Sequence, residues 1–230
     1  MGEISPARIW YATKGLGEAA GHDNLIRFRK ELVWREFSYY LLFHFPDLAT
    51  RNWNPRFDTF EWRFDASLFQ SWTKGLTGYP IVDAGMRQLW RHGIMHNRVR
   101  MIVASFLIKD LLIDWRHGER WFRDTLVDAD PASNAASWQW VAGSGADASP
   151  WFRIFNPVLQ GEKFDPQGDY VRSFVPELAA LDTKYIHRPF EAPLPVLLRA
   201  GIRLGETYPK PIVDHGVARQ RALSAYEATG

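Results

Sequence analysis

The sequence predicts an all-α protein, and three observations carry that prediction. Apolar residues recur at spacings of three to five along most of the chain, Pro, Asp and Gly punctuate those runs, and no stretch alternates as a strand would. From Asn24 the positions Leu25, Phe28, Leu32, Phe37, Tyr40, Leu41 and Phe45 follow helical spacing until Pro46 stops them. Residues 47–64 form an irregular, aromatic-rich connection with an Asn54-Pro55 step. Asp65 is placed to cap a short helix reaching Lys74, which Gly75 and Gly78 end. Pro80 suits the first turn of the next helix, which runs to about Arg91 and stops near Gly93. Asn97 to Trp115 reads as one helix, apolar on most sides and therefore buried on most sides. Helices are also expected over 117–127 and 131–142. After Pro150 the chain turns irregular through Asn156-Pro157, Gly161 and Pro166-Gln167-Gly168, with a short helix at 168–174 and alternating loop and helix beyond.

The 230 residues are read as a single domain, 1–230, large enough to bury a core without covalent staples. The absence of cysteine removes disulfides, thiolate metal sites and cysteine nucleophiles. A net charge of +2 is too small to name a partner. No apolar run approaches the roughly 20 residues that cross a bilayer, and no secretory signal opens the chain. A cytoplasmic protein without membrane association is expected, and a monomer.

One figure is out of line: 11 Trp. Indoles fill helical cores, but they also stack on nucleobases or sugars and carry single electrons. Residues 84–108 contain no acidic side chain but hold Arg87, Arg91, Arg98, Arg100, His92 and His96. Such a run is either a phosphate-facing surface or a solvated face balanced by distant carboxylates.

Glu31, Trp34 and Arg35 share one helix face. They can grip a polar planar ligand, or form an ordinary ion pair beside a core Trp. His92 and His96 are four apart, but Gly93 interrupts the helix and no Glu follows His92, so no metal site is expected. In Asp128-Ala129-Asp130-Pro131, Asp130 reads as an N-cap with Pro131 at the first helical position, and two carboxylates alone do not make a metal site. Asn134 and Trp138 share a face one turn apart. Trp62, Trp115 and Trp138 come from three segments, which only the fold can align.

Together these segments resemble the C-terminal, flavin-binding helical half of the DNA photolyase and cryptochrome family. The likeness is carried by Glu31-Leu-Val-Trp-Arg-Glu-Phe37, Thr77-Gly-Tyr-Pro-Ile-Val-Asp-Ala84, Met95-His-Asn-Arg-Val-Arg-Met101 and Ser105-Phe-Leu-Ile-Lys-Asp-Leu-Leu-Ile-Asp-Trp-Arg116. Trp138-Gln-Trp140, Arg153-Ile-Phe-Asn-Pro157 and Gln160-Gly-Glu-Lys-Phe164 complete it. It runs from about Ile4 to Ala225 and is strongest to class I photolyases of cyclobutane pyrimidine dimers.

The resemblance implies a light-driven carbon–carbon lyase. Reduced FAD passes one electron to a pyrimidine dimer flipped out of DNA, the ring opens and the electron returns; extrusion is required because the bases are otherwise buried in the stack. It implies that Glu31 bonds the dimer, that Trp34 and Trp140 wall it, and that Asn97, Arg98, Met101, Arg153 and Gln160 contact substrate or DNA. Arg100 and Asp128 match an ion pair beside the isoalloxazine, Asp130 lies toward the ribose, and Arg35, Asn97 and Ala129 line the same cofactor site. Asn134 matches the side chain facing flavin N5, where plant cryptochromes typically carry Asp and animal ones Cys. Trp138, Trp115 and Trp62, in that order outward, match the relay that photoreduces the flavin. Photolyases of (6-4) photoproducts place two histidines where Asn97 and Met101 stand, so a cyclobutane-dimer substrate is implied. Two other functions stay open: a cryptochrome-type blue-light receptor, and a DNA-binding remnant without flavin. In the family an α/β antenna domain and a Thr-Ser-x-x-Ser-Pro loop that cradles the FAD phosphates precede the segment matching Gly2–Pro6. Weakened FAD binding and a need for a missing N-terminal half are therefore expected, and the antenna chromophore is not specified.

Overall fold

In the computed structural model, residues 4–16, 21–147 and 152–229 are described. Pro150, where the irregular stretch is expected to begin, and the Gly2–Glu3 part of the family match lie outside them. Caps set most of the helices. Ser5 accepts the Arg8 amide and opens α1 (Pro6–Ala12). Next comes α2 (His22–His44), which ends at the residue before Phe45-Pro46 as the proline requires. The connection to residue 64 contains two short 3-10 turns, Pro46–Ala49 and Pro55–Thr59. Asp65 caps α3 (Ala66–Thr73), accepting the Ser67 and Leu68 amides at 2.8 and 3.0 Å. Then α4 (Pro80–His92) starts on its proline and stops at Gly93.

The expected single helix over 97–115 is two helices. The first, α5 (Asn97–Ser105), widens into a π turn, Phe106–Asp110, and the chain then breaks at Leu112, whose φ is +53°. Asp114 accepts the Arg116 amide at 2.9 Å and starts a new helix, α6 (Trp115–Thr125). Periodicity is blind to this break because every residue from Phe106 to Ile113 is buried, whichever helix it belongs to. The π turn packs against the C-terminal helix, and it places Lys109 so that its ammonium reaches the Ala142 carbonyl at 2.7 Å.

Asp130 caps α7 (Pro131–Ala142) through the Ser133 amide at 2.7 Å, as the sequence indicates. A second difference follows. The irregular stretch expected around Gly161 contains α8 (Pro157–Phe164), capped by Asn156. Gly161 inside it is a packing requirement, since a Cβ there would lie 2.4 Å from the His187 ring. The remaining helices are α9 (Asp169–Phe174), α10 (Leu194–Arg199) and α11 (His215–Glu227). No named strand occurs among the described residues, only an isolated bridge between Leu204 and Tyr208.

α7 is packed by α2 on one side and α6 on another, while α4 lies against α5, α8 and α9. The main core joins Trp72, Met86, Ile102, Leu107, Trp115 and Trp138. Asp83 anchors the C-terminal third to α4. Its buried carboxylate accepts the Thr77 amide and hydroxyl, both at 2.6 Å, the Gly78 amide at 3.1 Å and the Tyr208 hydroxyl at 2.6 Å. Tyr79 adds a second anchor, donating to the Val213 carbonyl at 2.8 Å and accepting the His215 amide at 3.2 Å.

Asp83→Asn retains one acceptor oxygen and strands donors. It is expected to lower unfolding stability by about 1–3 kcal/mol, read as a lower urea midpoint. Burial, aided by Asp110, pushes the Tyr79 hydroxyl up to about 12 from 10.0. The folded state therefore keeps a proton that the unfolded chain releases. This contribution is full below about pH 10 and is lost as pH climbs through about 12. Alkaline unfolding titrations should show that loss, shallower in Tyr79→Phe.

Candidate active site

The start of α7 is where three segments meet. Asp130 caps the helix and also accepts the Tyr39 hydroxyl, tying α2 to α7. Burial alone would push its carboxyl up; the bonds from Tyr39 and Ser133 outweigh burial, and the net direction is down. Two residues earlier, Asp128 holds the Arg100 guanidinium at 2.8 and 3.1 Å, and Arg100 Nε donates to the Met95 carbonyl at 2.7 Å. Ala129 between them packs on the main core. The guanidinium is thereby fixed at the first turns of α5, half-buried and aimed by two partners.

One turn into α7, Asn134 Nδ2 donates to the Glu119 carbonyl and to Glu119 Oε1, each at 3.0 Å. Its NH2 group is committed to Glu119, so Oδ1 faces elsewhere, without a protein partner among the described residues. Glu119 is buried, which pushes its carboxyl up against the opposing Arg123 guanidinium and Asn134 amide.

Glu31 and Arg35 do not form the ion pair that their spacing allows. Arg35 bonds Glu36 at 2.9 Å and lies 4.4 Å over the Tyr39 ring, leaving Glu31 exposed and without an ion pair among the described residues. One turn on, Trp34 is 48% exposed, a large apolar area to leave in water beside the exposed Glu31 carboxylate. Asn97 is exposed at the start of α5, held there because His96 Nδ1 accepts the Arg98 amide at 3.1 Å. Met101 is half-buried against the core. Arg98 lies 4.5 Å over Phe164 at the end of α8, the helix that carries Gln160. Arg153 is exposed, 4.8 Å over Phe155, and Trp140 is half-buried. The basic run is partly balanced in space: Arg87 Nη1 donates to both Glu177 carboxylate oxygens and Arg100 is held by Asp128. Among the described residues no cluster of His, Asp and Glu could hold a metal ion, and His96 serves as a cap.

Trp138 and Trp115 are buried in one cluster, with half-buried Trp62 packed against it and 4.3 Å from Phe60. Gly118 permits the close approach: a Cβ there would fall 2.1 Å from the Trp138 ring, so α6 presses bare backbone onto that indole one turn after Trp115. Four residues of this neighbourhood escape sequence reasoning, namely Tyr39, Glu119, Asn52 and Gln139. Asn52 accepts the Trp115 indole N–H at 2.9 Å, and buried Gln139 bonds the loop that carries Asn52.

The start of α7 thus gathers a fixed guanidinium–carboxylate pair, an amide oxygen turned outward and a capping carboxylate. The fold that carries them is that of an all-helical FAD-binding domain. The chain belongs to the family described as the FAD binding domain of DNA photolyase, matching it over residues 28–228. It is 73% identical over 227 residues to a deoxyribodipyrimidine photo-lyase of Agrobacterium fabrum, covering 99% of this chain and 47% of that protein. It is 43% identical over 221 residues to Cryptochrome-2 of Arabidopsis thaliana, covering 96% and 36%. Among solved structures, a bacterial class III photolyase from Agrobacterium tumefaciens superposes with a TM-score of 0.96 at 73% identity, over 99% of this chain and 47% of that one. The chain thus spans about half the length of the photo-lyase it matches. FAD is the cofactor of this domain family. Among the described residues no helix is long and apolar enough to cross a membrane.

Gly118→Ala tests the close approach. Its methyl group should cost about 1–3 kcal/mol through overpacking and shift the emission of the indoles in the folded chain. Unchanged stability and emission would place the Trp138 ring elsewhere.

Proposed function

We propose that this chain is the flavin-holding, substrate-gripping part of an enzyme that reverses cyclobutane pyrimidine dimers in DNA under light. The observation that carries the proposal is exposed Glu31 beside half-exposed Trp34 on α2, the helix that Tyr39 ties to the start of α7, where the Arg100–Asp128 pair and the oriented Asn134 amide stand. Bound FAD supplies light absorption and one-electron donation. Arg100, Asp128, Asp130 and Asn134, with Arg35, Asn97 and Ala129, hold that group and orient it. Asn134 offers an amide oxygen, which accepts a hydrogen bond and has no proton to give. Glu31 bonds the base edge of an extruded dimer, between the faces of Trp34 and Trp140. Asn97 and Met101 fill the substrate side without an acidic proton, which suits ring splitting in a cyclobutane dimer and not the protonation that a (6-4) product needs. Arg98, Arg153 and Gln160 meet the DNA backbone, whose binding should weaken with salt. Trp138, Trp115 and Trp62 carry single electrons between the cofactor site and the surface.

Glu31→Ala is exposed and should leave folding and flavin absorbance intact while repair of dimer-containing oligonucleotides falls by about tenfold or more, the factor given by 1.36 kcal/mol in the barrier. Unchanged repair would remove Glu31 from the reaction. A light-sensing protein without repair activity would reverse no dimers even in the unsubstituted form. Trp62→Phe should stop light-driven flavin reduction yet spare repair by chemically reduced protein; loss of both would make Trp62 a structural residue.

A further inference from the structure

Asn52 lies in the irregular connection between α2 and α3, yet its side chain is held at both ends. Oδ1 accepts the Trp115 indole N–H at 2.9 Å, and Nδ2 donates to Asp58 Oδ1 at 2.7 Å. An indole N–H only donates and an ionised carboxylate only accepts, so the amide has a single orientation. Its neighbours are fixed as well. Gln139 Oε1 accepts the Trp53 amide at 2.8 Å, Gln139 Nε2 donates to the Arg51 carbonyl at 2.9 Å, and Arg116 Nε donates to the Thr50 carbonyl at 2.7 Å. Trp115 is fully buried, and Asn52 is the acceptor its N–H has among the described residues.

We infer that Asn52 is a positioning residue that keeps the proton on Trp115 while electrons pass through it. The inference rests on the relay reading above. Bound oxidised FAD would supply the photoexcited electron acceptor for Trp138; in the relay Trp115 then gives one electron to oxidised Trp138 and takes one from Trp62, and a small-molecule thiol finally reduces Trp62. Between its two transfers Trp115 is an indole cation radical, one electron short with its N–H intact. Such a radical is a far stronger acid than indole. A carboxylate at this position would take the proton, leaving a neutral radical that can be reduced only when the proton returns. An amide oxygen is too weak a base to take it. Passing it on to Asp58 would force the amide through an imidic acid, so Asn52 insulates the proton. The Asp58 carboxylate meanwhile polarises the amide and makes Oδ1 more negative, which opposes the field of the Arg116 guanidinium 4.8 Å over the Trp115 ring.

The test uses the FAD-loaded chain, with transient absorption after a blue flash, at mildly alkaline pH where an introduced carboxyl is ionised. Asn52→Asp should convert the Trp115 radical to its deprotonated form and cut the yield of oxidised Trp62 by about tenfold or more. Asp58→Asn keeps the amide acceptor and should retain the protonated form. Trp115→Phe, the control, should block the relay. A second readout needs no flavin: in Trp-labelled protein, Asn52→Leu should move the Trp115 indole N–H resonance and speed its hydrogen exchange, and Asn52→Asp should keep that proton protected. Should Asn52→Asp behave as the unsubstituted chain while Trp115→Phe blocks transfer, the role of Asn52 is overturned and the relay stands. Should Trp115→Phe transfer electrons normally, the relay and the inference fall together. An unmoved indole resonance in Asn52→Leu also overturns the inference.

Discussion

A single buried amide, Gln139, holds the irregular half of the site against the regular half. The loop between α2 and α3 satisfies only part of its backbone through its two 3-10 turns, and a buried loop with open polar groups is unstable. Gln139 supplies what is missing: it donates to the Leu48 and Arg51 carbonyls at 2.7 and 2.9 Å and accepts the Trp53 amide at 2.8 Å. Each of these groups, left unpaired, would cost about 1–3 kcal/mol. Gln139 sits between Trp138 and Trp140, so the residue that fixes the loop is flanked by two residues assigned to electron transfer and substrate stacking. Displacement of this loop would take Asn52 from Trp115 and Thr50 from Arg116 together.

Helix caps perform the corresponding task on the exposed side. His96 caps α5 and so delivers Asn97 in its first turn; Asp130 caps α7 and delivers Asn134 one turn later; Asn156 caps α8 and delivers Gln160. A cap fixes where the first turn begins, and the side chains of that turn inherit the precision. Candidate polar contacts therefore cluster at helix starts, while the Trp115 and Trp138 indoles lie in close-packed interior. Substitution on the exposed face should alter chemistry with little effect on stability, whereas substitution at Trp115 or Trp138 changes both.

Elements with local signals were legible in the sequence. Asp65, Pro80 with Gly93, and Asp130-Pro131 mark helices that begin and end where those residues stand. Two elements were not legible, for opposite reasons. The break at Leu112 hides inside an apolar run, where periodicity carries no information about direction. Gly161 reads as a breaker but is demanded by His187, 26 residues further on. The same distance hides the supporting residues. Tyr39 meets Asp130 across 91 positions and Asn52 meets Trp115 across 63, so no spacing rule reaches them. Glu31, Trp34 and Arg35 do share a face as spacing requires, but spacing did not reveal that Arg35 turns to Glu36.

Glu119 shows how the Asn134 amide is fixed from behind whatever the charge of its partner. Burial pushes the Glu119 carboxyl up, and Arg123 and Asn134 oppose that shift. Ionised, Glu119 offers Oε1 to Asn134 Nδ2; neutral, it still offers a carbonyl oxygen, and its main-chain carbonyl holds the same NH2 group in either state. The orientation of Asn134 is thus insensitive to the charge of its partner. A proton arriving at or leaving Glu119 changes the local field without turning the amide, so the site presents the same acceptor throughout.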